Sequence, residues 1–170
     1  SGLVSAPLRS RFAHELTLEP YSLDHLTRIV LNASRAMGIE LAHEVALEVA
    51  RRSRSTARVA IGHLRWLVEY SSGLGVSPDL DAVRDAFEMR DVDECGLTGQ
   101  DRRYLSMLVE AGQPVGLASV SAAINETVET IEQAMEPHLI REGLIRRAPR
   151  GRVATERARE MFATILEASA

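Results

Sequence analysis

The 170 residues, 45% hydrophobic and 26% charged, suffice for one ordinary core or two small ones and give no reason to expect disorder. No apolar run approaches the ~18 residues of a membrane span, no secretion signal is recognisable, and the lone Cys95 excludes an internal disulfide or a Cys-based zinc cage. A net charge of −4 argues against a protein that coats nucleic acid over its whole surface. Cys95 is expected to be inert in a reducing cytosol. All twenty basic residues are Arg, which reads as a GC-rich coding bias, and a first residue of Ser rather than Met suggests a fragment of a longer chain.

Apolar residues recur at three-to-four spacing behind good caps, so the chain reads as mainly helical. Leu23, Leu26, Ile29, Val30 and Met37 form one stripe, opened by Ser22 and closed by Gly38. A second helix is predicted over about Ala42 to Arg52. A third, over about Thr56 to Tyr70, carries Val59, Ala60, Leu64, Leu67 and Val68. Ser77-Pro78-Asp79 is a start signal for a fourth helix that buries Leu80, Val83 and Phe87, with Ser77 as the expected cap. Asp91 to Gly96 has no helical stripe and reads as a linker, placing a boundary near Gly96 and the first proteolytic cut between Asp91 and Gln100. Thr98 with Asp101 then opens a helix holding Leu105, Leu108 and Val109, which ends around Gly112 and Pro114. A short helix follows over about Ala118 to Ile124, then a longer one from Glu126 carrying Val128, Ile131, Met135 and Leu139. Pro137 interrupts that pattern, so a kink or a restart is predicted there. Leu144 to Ala154 reads as two short strands around a Pro149-Arg150-Gly151 turn, and Thr155 caps a last helix through Met161, Phe162, Ile165 and Leu166. Three helices followed by a hairpin is the order of a winged helix.

The charge is distributed unevenly. Seven acids (Asp79, Asp81, Asp85, Glu88, Asp91, Asp93, Glu94) crowd one segment, whereas seven arginines lie between Arg141 and Arg159 against only Glu142 and Glu156. Arg146, Arg147, Arg150 and Arg152 sit on the hairpin, where a guanidinium fork matches phosphate oxygens and Gly151 lets the backbone approach a ligand. A solvated hairpin tip has the same composition, so the pattern alone leaves both readings open. The helix expected to enter a groove carries Glu126, Glu129, Glu132 and Glu136 and no Arg, which disfavours base reading from it. A chain with no Lys cannot supply the Gly-rich phosphate loop of a nucleotide hydrolase. His14, His25, His43, His63 and His138 show no metal spacing, and no serine elbow is present.

Pro114-Val115-Gly116-Leu117, Glu129-Thr130-Ile131-Glu132, Glu136-Pro137, Leu139-Ile140, Gly143 and Arg147 to Thr155 resemble the winged-helix end of the RuvB family, bacterial AAA+ motors of Holliday-junction branch migration. Upstream, Pro7 to Phe12 looks like the end of that family's ATPase core, Ala46 to Arg54 like its lid helix, and Ser55-Thr56-Ala57-Arg58 like its sensor 2 segment. The resemblance implies a core tail over 1–21, a helical AAA+ lid, a four-helix bundle, over 22–95 and a winged-helix DNA-binding domain over 96–170. It implies that Arg11 is an arginine finger acting on a neighbouring subunit's nucleotide, with Arg9 as the fallback, that Tyr21 packs on ATP and that Arg58 contacts its phosphates. Arg147, Arg150 and Arg152 become the expected contacts to duplex or junction DNA. ATP and Mg²⁺, a homo-hexamer, a RuvA-like partner and a cytoplasmic location belong to the full-length relative, with no metal site and no turnover expected of this chain alone. The family usually has Pro at Ala57, Thr at Ala148, Tyr at His138, Gly at Ala13 and often Arg near Val128. Absence of that Arg removes one phosphate contact. Two other classes fit the composition: a stand-alone winged-helix regulator, and an interaction module presenting Asp79 to Glu94 to a basic partner.

Overall fold

The computed structural model describes residues 6–9, 11–14, 16 and 18–168; of 6, 9 and 163–168 it describes the backbone only. The side chains of Arg9, Ile165 and Leu166 and the whole of Ser10 therefore lie outside the described residues. After a short turn of helix, α1 (Ala6–Arg9), four helices follow: α2 (Leu23–Ala36), α3 (His43–Arg51), α4 (Ala57–Leu74) and α5 (Leu80–Glu88). Ser22 caps α2 by accepting from the His25 N–H at 3.2 Å. The α5 cap is Asp79 rather than Ser77: its carboxylate accepts from the Ala82 N–H at 2.9 Å, and Pro78 stands ahead of the helix instead of inside its first turn. A carboxylate at that position also meets the positive end of the helix dipole, which a hydroxyl two residues earlier cannot do. The apolar stripes converge on one core of Leu26, Val30, Leu41, Val45, Val49, Leu64, Leu67, Val83 and Phe87.

A second core holds Leu97, Tyr104, Leu105, Leu108, Val120, Ile124, Ile131, Met135, Leu139, Leu144 and Ile145. Around it lie α6 (Gly99–Ala111), α7 (Leu117–Ile124), α8 (Val128–Thr130), α9 (Glu136–Arg141) and α10 (Glu156–Ala168). The hairpin of β1 (Ile145–Ala148) and β2 (Gly151–Ala154) completes this half. α6 opens with a full capping box, Thr98 and Asp101 satisfying one another's backbone N–H groups. Between α8 and α9 the helix runs through a π turn, Ile131–Met135, directly ahead of Pro137. Proline removes one N–H and crowds the preceding turn, and the wider turn accommodates that loss without a break.

Asp91 to Gly96 is not a loose linker. Val92 bridges Thr98, Arg102 pairs with Asp91 and with Asp93 at 3.3 Å, and Asp93 accepts from the Cys95 and Leu97 N–H groups. Gly96 is buried with φ +74, and a Cβ there would lie 2.7 Å from the Arg52 carbonyl oxygen. Across this junction Arg54 donates to the Gly96 carbonyl at 2.9 Å and to the buried Asp101 carboxylate at 2.5 Å, and Arg141 donates to the Arg54 carbonyl at 3.0 Å. The two cores are thus stapled by arginines rather than connected by a tether.

Candidate nucleic-acid and nucleotide contacts

The wing begins with register. Ile145 pairs with Ala154 and Ala148 with Gly151, so Pro149 and Arg150 alone form the turn. Val115 pairs with Arg152 from outside the hairpin through two backbone hydrogen bonds of 2.9 and 2.8 Å. Gly151 is required there: its φ is +143, and a Cβ would collide with the Val115 carbonyl. That contact holds the hairpin against the segment leading into α7 and leaves Arg150 at the tip, exposed and without an ion pair among the described residues.

The other two expected contacts are differently placed. Arg152 has a side chain only 15% exposed; it donates to Glu136 at 2.6 Å and to Glu132 at 2.8 Å. Arg147, 56% exposed, donates through Nε and Nη2 to Glu136 at 3.0 and 2.7 Å. Of the three expected DNA contacts, Arg152 is thus an internal anchor and Arg147 is half committed, which leaves Arg150 the freest. Glu136 is fully buried and also accepts from the Tyr104 hydroxyl at 3.2 Å. Burial favours its neutral form, but the hydrogen bonds from Arg152 and Arg147 prevail and hold the carboxyl below the ordinary range. Burial, reinforced by the Glu136 charge, pushes the Tyr104 phenol up, and the Glu136 hydrogen bond raises Arg152. Glu136 is the functional residue that the sequence reading missed. Its signal was the i, i+4 pair Glu132 and Glu136 beside a hairpin rich in arginine, which read only as a helix unsuited to base reading rather than as the hairpin's counter-charge.

The expected nucleotide residues fall on the lid side. Arg11 is exposed in a turn closed by its own N–H on the Leu8 carbonyl at 3.1 Å. Tyr21, 48% exposed, is tied by its N–H to the Ser55 carbonyl at 3.3 Å, three residues before Arg58. Arg58 is exposed in the first turn of α4, without an ion pair among the described residues. The Tyr21 backbone is thus anchored within three residues of Arg58, at Ser55, which with Arg54 adopts the left-handed conformation at φ 54 and 52. An aromatic face and an unpaired fork together suit a base and a phosphate. Among the described residues no group of three or more His, Cys, Asp or Glu side chains is arranged to hold a metal ion.

A four-helix bundle leading into a three-helix domain with a two-stranded wing defines the class: an AAA+ lid followed by a winged helix. Family models match both halves, the RuvB AAA lid domain over 21–93 and the RuvB C-terminal winged helix domain over 94–163. The Holliday junction branch migration complex subunit RuvB of Lawsonia intracellularis is 41% identical over 160 residues, covering 92% of this chain and 47% of that protein. The solved structure of the Thermotoga maritima RuvB Holliday junction branch migration motor superimposes with a TM-score of 0.88 at 33% identity, covering 95% of this chain and 55% of that one. A variant of the same Thermotoga protein gives 0.87 at the same identity. The chain belongs to the RuvB family and spans about half the length of the relatives it matches.

Proposed function

We propose that this chain is the nucleotide-sensing lid, over 22–95, and the DNA-holding winged helix, over 96–170, of an ATP-driven motor that moves Holliday junctions, with 1–21 as the tail of its ATPase core. The whole motor works as a cytoplasmic homo-hexamer alongside a RuvA-like junction-binding protein. The observation that carries the reading is the grip on the segment Arg54 to Arg58 from two sides. On one side Tyr21 holds Ser55; on the other Arg54 reaches Gly96 and Asp101 of the winged helix. Any change in the lid caused by phosphate at Arg58 is passed to the winged-helix half through these short, partly buried contacts.

Bound ATP with Mg²⁺ would supply the phosphoryl group whose hydrolysis drives the movement. This chain's residues bind and sense it: Tyr21 packs on the base, Arg58 holds phosphate within its own subunit, and Arg11 reaches a neighbour's γ-phosphate to offset developing charge. The phosphate loop must come from elsewhere, since the chain has no Lys. On the wing, Arg150 and the exposed edge of Arg147 contact backbone phosphates, while Arg152 fixes the hairpin's position through Glu136. Joined to a RuvB-family ATPase core that supplies the phosphate loop, the chain should support ATP hydrolysis that Arg11→Ala lowers by roughly 10³ or more. Undiminished turnover in that variant would refute the assignment of Arg11, and ATP hydrolysis by the chain alone would refute the division of labour.

A further inference from the structure

Between the two cores lies a cleft of about 510 Å³, with α4 and the stretch Arg90 to Val92 on one wall and the π turn and α9 on the other. Arg58 and Arg90 reach it from the lid and Arg141 from the winged helix; all three are exposed, and none has an ion pair among the described residues. No acidic side chain lines it, although the chain as a whole carries a net charge of −4. Asp101, behind the wall, is bound to Arg54, and Glu142 comes no nearer to His138 than 4.0 Å, at Nδ1.

Two histidines complete the lining, one from each wall. His63 is 9% exposed and His138 4% exposed. The Nδ1 atom of His63 and both ring nitrogens of His138 have no hydrogen-bond partner among the described residues. Buried polar atoms ordinarily find partners, and each neutral imidazole carries one N–H to offer, so two buried, incompletely bonded rings at one basic cleft suit an occupant that accepts hydrogen bonds. We propose that the cleft binds a small phosphate-type oxyanion, held by Arg90 and Arg141 across the junction with the His63 and His138 rings beneath it. Three guanidinium groups, of which Arg141 spends one N–H on the Arg54 carbonyl, still offer enough donors to suit a multivalent tetrahedral anion better than a single carboxylate. Because its ligands come from both halves, the anion would clamp lid and winged helix together. Arg58 stands at the mouth, but the site does not depend on its assignment to a nucleotide.

The anion can be free or carried on a nucleic-acid strand, and the experiment separates these sources. Arg90 lies over the Trp66 ring at 5.4 Å, and Trp66 is the only tryptophan, so its fluorescence reports on Arg90 directly. The full chain is titrated at low salt with inorganic phosphate, with tripolyphosphate and with a short DNA duplex, following Trp66 emission and the His63 and His138 ring resonances. Saturable binding of either small anion that perturbs both histidines, and weakens at least tenfold in Arg90→Gln/Arg141→Gln, is the expected result and marks a free anion. A response to duplex alone, with the same loss in the double variant, marks a strand phosphate. The charge-matched control Arg28→Gln/Arg35→Gln should bind as the parent does. Should Arg90→Gln/Arg141→Gln fail to fold, the histidine shifts in the parent decide. Unperturbed histidine resonances, an equal loss in the charge-matched control, or equal competition by a poly-glutamate peptide would each overturn the proposal.

Discussion

Three arginines on one hairpin share one chemistry and have three different roles. Arg150 is outside and unpaired, Arg147 shares itself between Glu136 and solvent, and Arg152 is packed against Glu136 and Glu132. The arginines themselves were legible in the sequence. Their ranking was not, because it is set by a carboxylate brought near only by the tertiary fold. Removing the main partner of a buried charge is costly, whereas an exposed, unpaired arginine contributes little. We therefore predict that Arg152→Ala destabilises the winged helix by about 3 kcal/mol and Arg150→Ala by no more than about 0.5 kcal/mol in urea unfolding. Equal losses would mean that Glu136 is not the hairpin's anchor. A second prediction at this scale concerns acid. Burial lowers His63 to about 4, below its unfolded value near 6.5, so the unfolded chain binds the extra proton first. Stability should fall by roughly 3 kcal/mol as pH drops from about 6.5 to 4, and His63→Phe should remove most of that slope. Glu136 acts in a lower window: with its folded value depressed, its contribution is present above about 4.5 and disappears as pH falls through the folded value. A flat pH dependence between 6.5 and 4 in the parent chain would contradict the burial of His63.

The elements show where local signals suffice and where they fail. The Thr98 and Asp101 capping box, the Ser22 cap and the apolar stripes are all local, and each helix they announce is present. The α5 cap shifted from Ser77 to Asp79 because three consecutive residues offered helix-start chemistry and only geometry chooses among them. Pro137 led to the expectation of a kink or a restart, whereas the chain passes it through a π turn that keeps both Ile131 and Met135 in the core. The largest difference lies at Asp91 to Gly96. Polarity and missing periodicity made it look like a tether, whereas Asp91 and Asp93 are spent on Arg102 and on the segment's own backbone, and Arg54 spans it. Proteolysis should therefore spare 91–100 in the native chain, contrary to what composition alone suggests. Arg54→Ala leaves the buried Asp101 without its arginine and should cost about 3 kcal/mol, separate the unfolding of the two halves and open 91–100 to cleavage. A single cooperative transition and an uncut junction in that variant would show that Arg54 does not couple them.

At the scale of the whole molecule, two small cores are held as one unit, with the Tyr21 and Arg58 face on the lid and the wing on the winged helix. The order of elements made this architecture legible before any coordinate, since a helical bundle followed by three helices and a hairpin has few other solutions. The Asp79 to Glu94 acids, which suggested an interaction module, are partly engaged internally, Asp79 as a cap and Asp91 and Asp93 with Arg102. The central claim is that the wing holds DNA by its backbone through Arg150 and Arg147. The most direct test is the salt dependence of duplex binding by this chain. About two to three phosphates engaged per chain give a slope of log K against log salt near −2 to −3 and affinity no better than about 10⁻⁴ to 10⁻⁶ M, independent of sequence. Arg147→Gln/Arg150→Gln should flatten that slope by roughly two, with Arg152 and Glu136 left in place to keep the hairpin folded. An unchanged slope and affinity in that variant would contradict the claim and place the DNA contact elsewhere on the chain.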